Sequence, residues 1–183
     1  MVVLQEQEVA ARVLLLKMKI MRSTFYIFLM FSISGFSQKS IDKLLKQHNK
    51  ESIPYITVDE LKTEQSDIVL LDSREEKEYR TSHLKHAICV GYDFFNLDSI
   101  QQNLPDKNSK IVVYCSVGIR SENIAEKLKN AGYTNVYNLY GGIFEWKNRD
   151  LKIFDEQETE TENVHTFNKV WSKWLKKGNK VYE

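Results

Sequence analysis

The chain has 183 residues, a length that suits one domain with its own core and leaves little room for a second. Hydrophobic residues make up 42% and charged residues 28%, and 26 basic side chains balance 25 acidic ones. This profile excludes a disordered chain and a membrane-embedded protein, and the balanced charge offers no overall field for attracting nucleic acid.

Residues 18–38 have the pattern of a secretory signal peptide. Basic Lys19 and Arg22 precede an apolar run over residues 25–33, and small residues at 35 and 37 form a cleavage pattern. The apolar run is shorter than the roughly 20 residues that a membrane-spanning helix needs, so a retained anchor is the weaker alternative.

We therefore expect an exported, periplasmic protein that is cleaved near Ser37 or Gln38 and has no stable membrane insertion afterwards. Residues 1–17 contain acidic side chains, which are not expected ahead of the basic start of a signal peptide. For that reason we expect translation to begin at Met18 or Met21, with residues 1–37 forming the signal-peptide region.

The mature chain divides into three parts: an N-terminal helix and linker (38–55), a main domain (56–150) and a C-terminal extension (151–183). In the main domain, residues 67–71 and 110–114 are continuous apolar runs of strand length. Runs that are apolar on both faces are typical of the middle of a parallel sheet covered by helices.

Shorter elements surround these two central strands. In chain order we predict a brief strand and turn at 56–61, a charged helical turn at 74–83, a strand at 87–92, an amphipathic segment at 97–104, a helix at 121–131 that stops at Gly132, a strand at 135–140 and a short helix at 141–148. Strands that alternate with helices over about 100 residues indicate an α/β domain with a mainly parallel sheet.

The extension carries apolar residues from Val164 to Leu175 at helical spacing, which predicts that this stretch folds back onto the domain. A basic amphipathic helix at a membrane surface or in a partner's groove is the alternative. The acidic stretch 155–162 ahead of it is expected to be a solvated loop.

Cys115 lies directly after a predicted buried strand and directly before a predicted helix, where sites form in open α/β sheets. The intervening loop, residues 116–120, is short enough to curl with its amides toward the sulfur, and Gly118 can supply the positive φ that such a curl needs. Amide dipoles, the helix N-terminus and the Arg120 charge would lower the pKa of the thiol, which makes a nucleophile and an anion cradle. The alternative is an ordinary buried cysteine.

At these residues the sequence resembles the rhodanese family over roughly Ile56 to Arg149. Four blocks carry the resemblance in the right order: LLDSREEKEYRTSHL at 70–84, VVYCSVGIRS with its C-x-x-G-x-R at 112–121, LKNAGYTNVYNL at 128–139, and GGIFEW at 141–146.

The resemblance implies a five-stranded parallel sheet flanked by helices and a double displacement at Cys115. A donor such as thiosulfate gives its outer sulfur to the thiolate, and a thiol or cyanide then removes it. Asp72 and Arg74 would brace the floor of the site without reacting, Arg120 would orient the loop or meet an anionic donor, and His83 would be a structural hydrogen-bonding residue.

The sequence departs from the family pattern at several positions. Ser82 and His86 replace two glycines around the strand at 87–92, so the turn there is expected to have a different shape. The loop residues Ser116 and Val117 replace basic residues that thiosulfate-preferring members often carry, which puts a preference for thiosulfate in doubt.

Related phosphatases and arsenate reductases use C-x5-R, whereas Cys115 to Arg120 is C-x4-R. The tighter ring suits a persulfide sulfur better than a phosphoryl group. A non-catalytic binding module or a sulfur-carrier partner protein remains the rival from another class.

Cys89 is read as a core residue, and the sharper alternative makes it a resolving thiol for Cys115. Tyr92, Phe94 and Phe95 either line the pocket mouth or belong to the core.

The histidines have no metal-ligand spacing with the cysteines, so we expect no metal and no cofactor. The expected partners are a small sulfur-containing anion or thiol, with a thiol-bearing protein as a candidate acceptor and no nucleic acid.

Overall fold

A computed structural model of the chain describes residues 41–64 and 67–182. Of these, the residues from Leu44 onward form one compact unit. The predicted signal peptide and the start at Met18 or Met21 lie outside the described residues. Within the described ranges, no helix combines the length and apolar character needed to cross a membrane.

The centre of the unit is a sheet of five strands, all parallel, in the order β1-β5-β4-β2-β3. The strands are β1 (Tyr55–Ile56), β2 (Ile68–Asp72), β3 (Ile88–Cys89), β4 (Lys110–Tyr114) and β5 (Val136–Leu139). The predicted α/β class with a five-stranded parallel sheet is confirmed. The two apolar runs, β2 and β4, lie side by side in the interior of the sheet, as their composition indicates.

The described residues form six α-helices. They are α1 (residues 41–48), α2 (Val58–Thr63), α3 (Glu76–Thr81), α4 (Leu97–Asn103), α5 (Arg120–Asn130) and α6 (Gly142–Asn148). Helix α5 buries Ile124, Ala125 and Leu128 against the sheet, and the chain leaves it through Gly132 at a φ of +93°. The predicted helix and its glycine stop are therefore both present.

Strand β4 separates two apolar clusters. Val112 and Tyr114 point into one cluster, which includes Leu139 and Ile143, while Ile111 and Val113 point into the other. Because side chains alternate along a strand, a strand with both faces covered must be apolar at every position. Because both faces of β4 are packed, the end of the strand and the cysteine that follows it are held in a fixed position.

Two local features differ from the sequence prediction. Residues 58–63 form a helix where a turn was expected, because the Thr57 hydroxyl accepts from the Glu60 amide and the Glu60 carboxylate accepts from the Thr57 amide, a complete capping box. His86 adopts a φ of +62°, so the turn before β3 keeps a left-handed residue although no glycine is present.

The C-terminal extension does not form the long helix that its spacing suggests. It contains an antiparallel pair, β6 (Ile153–Phe154) and β7 (Glu160–Thr161), a parallel pair, β8 (Asn163–His165) and β9 (Asn179–Val181), and a 3₁₀ turn at Trp171–Trp174. The helical pattern fails because Phe167 has a φ of +63°, which no helix accommodates.

The extension nevertheless shares the core of the domain. Ile153, Val164 and Leu175 are at most 1% exposed and belong to the same apolar cluster as Leu84 and Ile143. The acidic stretch 155–162 is largely exposed, as predicted, with the β6–β7 turn inside it.

Candidate active site

Cys115 follows β4 directly and is 1% exposed. Its Sγ accepts a hydrogen bond from the Gly118 amide at 3.2 Å, and Gly118 has a φ of +103°, which turns the loop back toward the sulfur. The Ser121 hydroxyl lies 3.5 Å from Sγ, at the first turn of α5. The loop therefore presents polar hydrogens to a buried sulfur.

The pKa of Cys115 lies below its ordinary value. Burial by itself would raise the pKa, but the Arg120 charge and hydrogen bonds from Ser121 and Gly118 stabilise the thiolate more strongly. The single hydrogen of the Ser121 hydroxyl also faces Asn138 Oδ1 at 2.7 Å. Because the hydrogen bond to Asn138 is shorter than the contact with Sγ, the Ser121 hydroxyl hydrogen points mainly at Asn138. We therefore assign most of the lowering of the Cys115 pKa to the Arg120 charge and to the backbone amides of Gly118 and Ser121.

Arg120 is held by a carboxylate that the sequence did not suggest. Its Nη1 and Nη2 donate to the two oxygens of Glu78 at 2.7 Å each, and Nη2 also donates to Ser116 Oγ at 3.2 Å. Glu78 is 2% exposed, and although burial raises the pKa of its carboxyl, the bonds from Arg120 lower it below the usual value. This fork-to-fork pair fixes the loop against α3.

Asn138 in β5 secures the other side of the loop. Its Nδ2 donates to the Gly118 carbonyl at 2.8 Å while its Oδ1 accepts from Ser121, and Asn49 also donates to the Gly118 carbonyl at 2.8 Å. Two side-chain amides therefore fix the Gly118 carbonyl, while the Gly118 amide donates to Sγ. The signal that could have identified Asn138 is a polar residue in a buried strand.

The start of α6 closes the site from behind. The amides of Ile143 and Phe144 donate to the carbonyls of Cys115 and Ser116 at 2.9 and 3.1 Å. A Cβ on Gly142 would lie 2.2 Å from the Cys115 carbonyl oxygen. The second glycine of the GGIFEW block is thus required by this close approach.

Asp72 and Arg74 are both completely buried and bind each other. Arg74 Nη2 donates to Asp72 Oδ2 at 2.6 Å and to the Ser82 carbonyl at 2.5 Å. The pair connects the end of β2 to the end of α3. The supporting role that the resemblance implies for these two residues stays a prediction.

A cavity of about 150 Å³ opens above Cys115. Its lining consists of Cys115, Ser116, Val117, Ile119, Arg120, Phe167 and Trp171. The structure therefore brings all the predicted loop residues except Gly118 to the cavity wall and adds two aromatic residues from the extension, which the sequence did not assign to the site.

Other residues that the sequence singled out lie elsewhere. Tyr92, Phe94 and Phe95 do not line this cavity; Tyr92 and Phe95 pack on the second apolar cluster and Phe94 is 89% exposed. Cys89 is half-buried, and burial raises the pKa of its thiol. His83 Nδ1 contacts the Tyr79 carbonyl at 3.1 Å and Nε2 contacts Glu158 at 3.0 Å, so both ring nitrogens are engaged in structural contacts.

Within residues 41–64 and 67–182, no cluster of histidine, cysteine and acidic side chains is arranged to hold a metal ion. The fold and the loop together define a class, parallel α/β proteins that present an activated cysteine at the carboxyl edge of the sheet.

The rhodanese-like domain pattern matches residues 57–149, just over half of the chain. The chain belongs to the rhodanese-like domain family. Among solved structures, it is similar in fold to a thiosulfate sulfurtransferase from Pseudomonas aeruginosa (TM-score 0.53, 21% identity, 65% of this chain and 23% of that one). It is also similar to a rhodanese-like domain from Anabaena (TM-score 0.53, 23% identity, 58% and 82%).

Curated relatives match part of the chain. A tRNA uridine(34) hydroxylase from Erwinia tasmaniensis is 37% identical over 87 residues, which are 44% of this chain and 24% of that protein. The adenylyltransferase and sulfurtransferase UBA4 from Candida albicans is 38% identical over 91 residues, 46% and 21% of the two chains. The chain thus matches about a quarter or less of these relatives' length.

Proposed function

We propose that the protein is a sulfurtransferase that carries a sulfane sulfur on Cys115. The observation that supports this most directly is the buried Sγ, which accepts from the Gly118 amide at 3.2 Å and has a lowered pKa. A thiolate at neutral pH is a competent nucleophile, and the groups that stabilise it can also stabilise the negative terminal sulfur of a persulfide.

The proposed reaction has two displacements at sulfur. The Cys115 thiolate attacks the outer sulfur of a donor such as thiosulfate and forms an S–S bond. The donor's own S–S bond breaks, and its electron pair leaves with sulfite. An acceptor thiolate or cyanide then attacks the terminal sulfur, and the electron pair of the Cys115 S–S bond returns to Sγ, so no external oxidant or reductant is needed.

Arg120 and Asn138 are positioning residues in this proposal. Arg120 supplies positive charge near Sγ while Glu78 holds its guanidinium, and Asn138 binds the Gly118 carbonyl and so fixes the loop. Neither group has to gain or lose a proton during transfer. We also propose, from the signal-peptide pattern in the sequence, that the reaction takes place after export to the periplasm.

The test is the mass of the intact protein after incubation with thiosulfate or another sulfane-sulfur donor. We expect a gain of one sulfur atom that disappears on adding cyanide, and no gain in Cys115→Ser. Cys89→Ser is the matched control, since Cys89 is half-buried and lies outside the cavity, and it should gain sulfur like the wild type. Absence of an adduct with every donor would favour a non-catalytic binding module.

A further inference from the structure

The cavity above Cys115 has an apolar outer wall. Val117 and Ile119 come from the loop, while Phe167 and Trp171 come from the C-terminal extension. The Phe167 side chain is 46% exposed although it is large and apolar. Exposed apolar surface beside a nucleophile is typical of a ligand-binding site, because a bound ligand would cover it.

Phe167 is held at this place by its surroundings. Its backbone has a φ of +63°, an unfavourable value for a bulky residue, which persists only when neighbouring contacts enforce it. The Phe167 amide donates to His165 Nδ1 at 3.2 Å. On either side, Thr166 is completely buried and bonds the Val181 carbonyl, and Leu175 is 1% exposed.

The charge at the cavity is small. Among the described residues that line it, Arg120 is the one cationic side chain, and both of its terminal nitrogens already bind the Glu78 carboxylate at 2.7 Å. A dianion approaching the Cys115 thiolate would therefore meet a negative sulfur without an uncompensated positive partner. A donor with less charge avoids most of this repulsion.

We propose that the pocket formed by Val117, Phe167 and Trp171 selects sulfane-sulfur donors that carry an apolar group and at most one negative charge. This inference rests on the proposed sulfur transfer at Cys115. A cavity of about 150 Å³ with apolar walls is large enough for a benzene ring. The apolar group packs against the two aromatic rings while the outer sulfur faces Sγ.

The transfer step balances for such a donor. With an aryl thiosulfonate, the Cys115 thiolate attacks the terminal sulfur, and the new S–S bond forms as the bond between that sulfur and the sulfonyl sulfur breaks. The aryl sulfinate leaves with the electron pair. Two anions enter and two anions result, the sulfinate and the Cys115 persulfide.

The experiment compares thiosulfate, methanethiosulfonate and benzenethiosulfonate as donors to the full protein, with cyanide as acceptor. Each kcat/KM is divided by the rate constant of the same donor with a free thiolate, which removes intrinsic reactivity. We expect the normalised value for benzenethiosulfonate to exceed that for methanethiosulfonate by about 10-fold, with thiosulfate the poorest.

Phe167→Ala should remove most of the advantage of the phenyl group, so that the normalised kcat/KM falls much more for benzenethiosulfonate than for thiosulfate. Val170→Ala is the control, since Val170 is 65% exposed in the same segment but does not line the cavity, and it should behave as wild type. Thiosulfate equal to or better than benzenethiosulfonate, or an equal loss for all donors in Phe167→Ala, would overturn the pocket assignment. Failure of all three donors to load Cys115 would instead overturn the sulfurtransferase proposal.

Discussion

Three charges meet beside the reactive sulfur: the Cys115 thiolate, the Arg120 guanidinium and the Glu78 carboxylate. Arg120 is 2.7 Å from both oxygens of Glu78 and is also the strongest favourable influence on the thiolate. One cation therefore serves two anions in a mostly buried site, where charges interact more strongly than in water. Removing the Glu78 carboxylate should therefore lower the pKa of the Cys115 thiol, and removing the Arg120 charge should raise it.

We predict that Glu78→Gln lowers the pKa of Cys115 further, because the Arg120 charge is then no longer shared. Arg120→Gln should raise it, because burial then acts without that charge. The measurement is the rate of alkylation by neutral iodoacetamide as a function of pH, with the wild-type midpoint below the ordinary 9.0. Thermal unfolding of each variant checks that the fold is kept, and shifts of the same sign in both variants would contradict this assignment.

The lowered pKa also links the thiol to stability. Its folded pKa lies below the unfolded value, so its contribution is fully present above the unfolded pKa and is lost as the pH falls through the folded pKa. The wild type should therefore lose stability relative to Cys115→Ser over that window on acidification.

At the scale of elements, the loop is enclosed between β4, α5 and the start of α6. The amides at the start of α6 bind the carbonyls of Cys115 and Ser116, which is possible only because Gly142 has no side chain. A Cβ there would lie 2.2 Å from the Cys115 oxygen, whereas one on Gly132, at the end of α5, would meet nothing within 4 Å. Both glycines have positive φ, so an alanine is strained at either position. Only at Gly142 would the added Cβ also clash with a neighbouring atom.

Gly142→Ala should lower the free energy of unfolding by about 3 kcal/mol or more and abolish sulfur loading, since α6 must move away from the loop. Gly132→Ala should cost about 1 kcal/mol, the cost of a left-handed alanine, and leave sulfur loading intact. Urea unfolding and the sulfur-adduct mass are the two measurements. Equal losses of stability would mean that strain, not the contact with Cys115, decides the effect.

At the scale of the whole molecule, the C-terminal extension is part of the core. Val164 and Leu175 are buried among residues of the domain, and the buried Lys147 of α6 binds Glu162 at 2.6 Å. The extension also places Phe167 and Trp171 on the cavity wall. Stability and the shape of the site are therefore coupled through this segment.

Leu175→Ala should destabilise the protein by about 3 kcal/mol, because it leaves a cavity in a packed cluster. Val170→Ala, at a 65% exposed position, should stay within about 0.5 kcal/mol of the wild type. Chemical denaturation measures both. A stability loss below about 1 kcal/mol for Leu175→Ala would show that the extension is not integral to the core.

Much of the fold follows from local patterns. The continuous apolar runs of β2 and β4 indicated a central parallel sheet, and the spacing of Ile124, Ala125 and Leu128 indicated α5. In the extension, by contrast, the helical spacing from Val164 to Leu175 corresponds to a strand, a loop and a 3₁₀ turn, because Phe167 has a positive φ. In this segment the periodicity identified neither the backbone conformation nor the full set of buried residues, since Val164 and Leu175 are buried whereas Phe167 and Val170 are exposed.

The sequence by itself determined the position of the candidate nucleophile and of the residues beside it: a cysteine between a buried strand and a helix, with a glycine in the loop and an arginine at its end. These features act over a few residues, so they can be read along the chain. Tertiary structure alone decided what surrounds that group. Glu78 and Arg120 are 42 residues apart, and Asn138 and Gly118 are 20 apart; such contacts, like Phe167 above Cys115, depend on how separate elements pack, which no local pattern encodes.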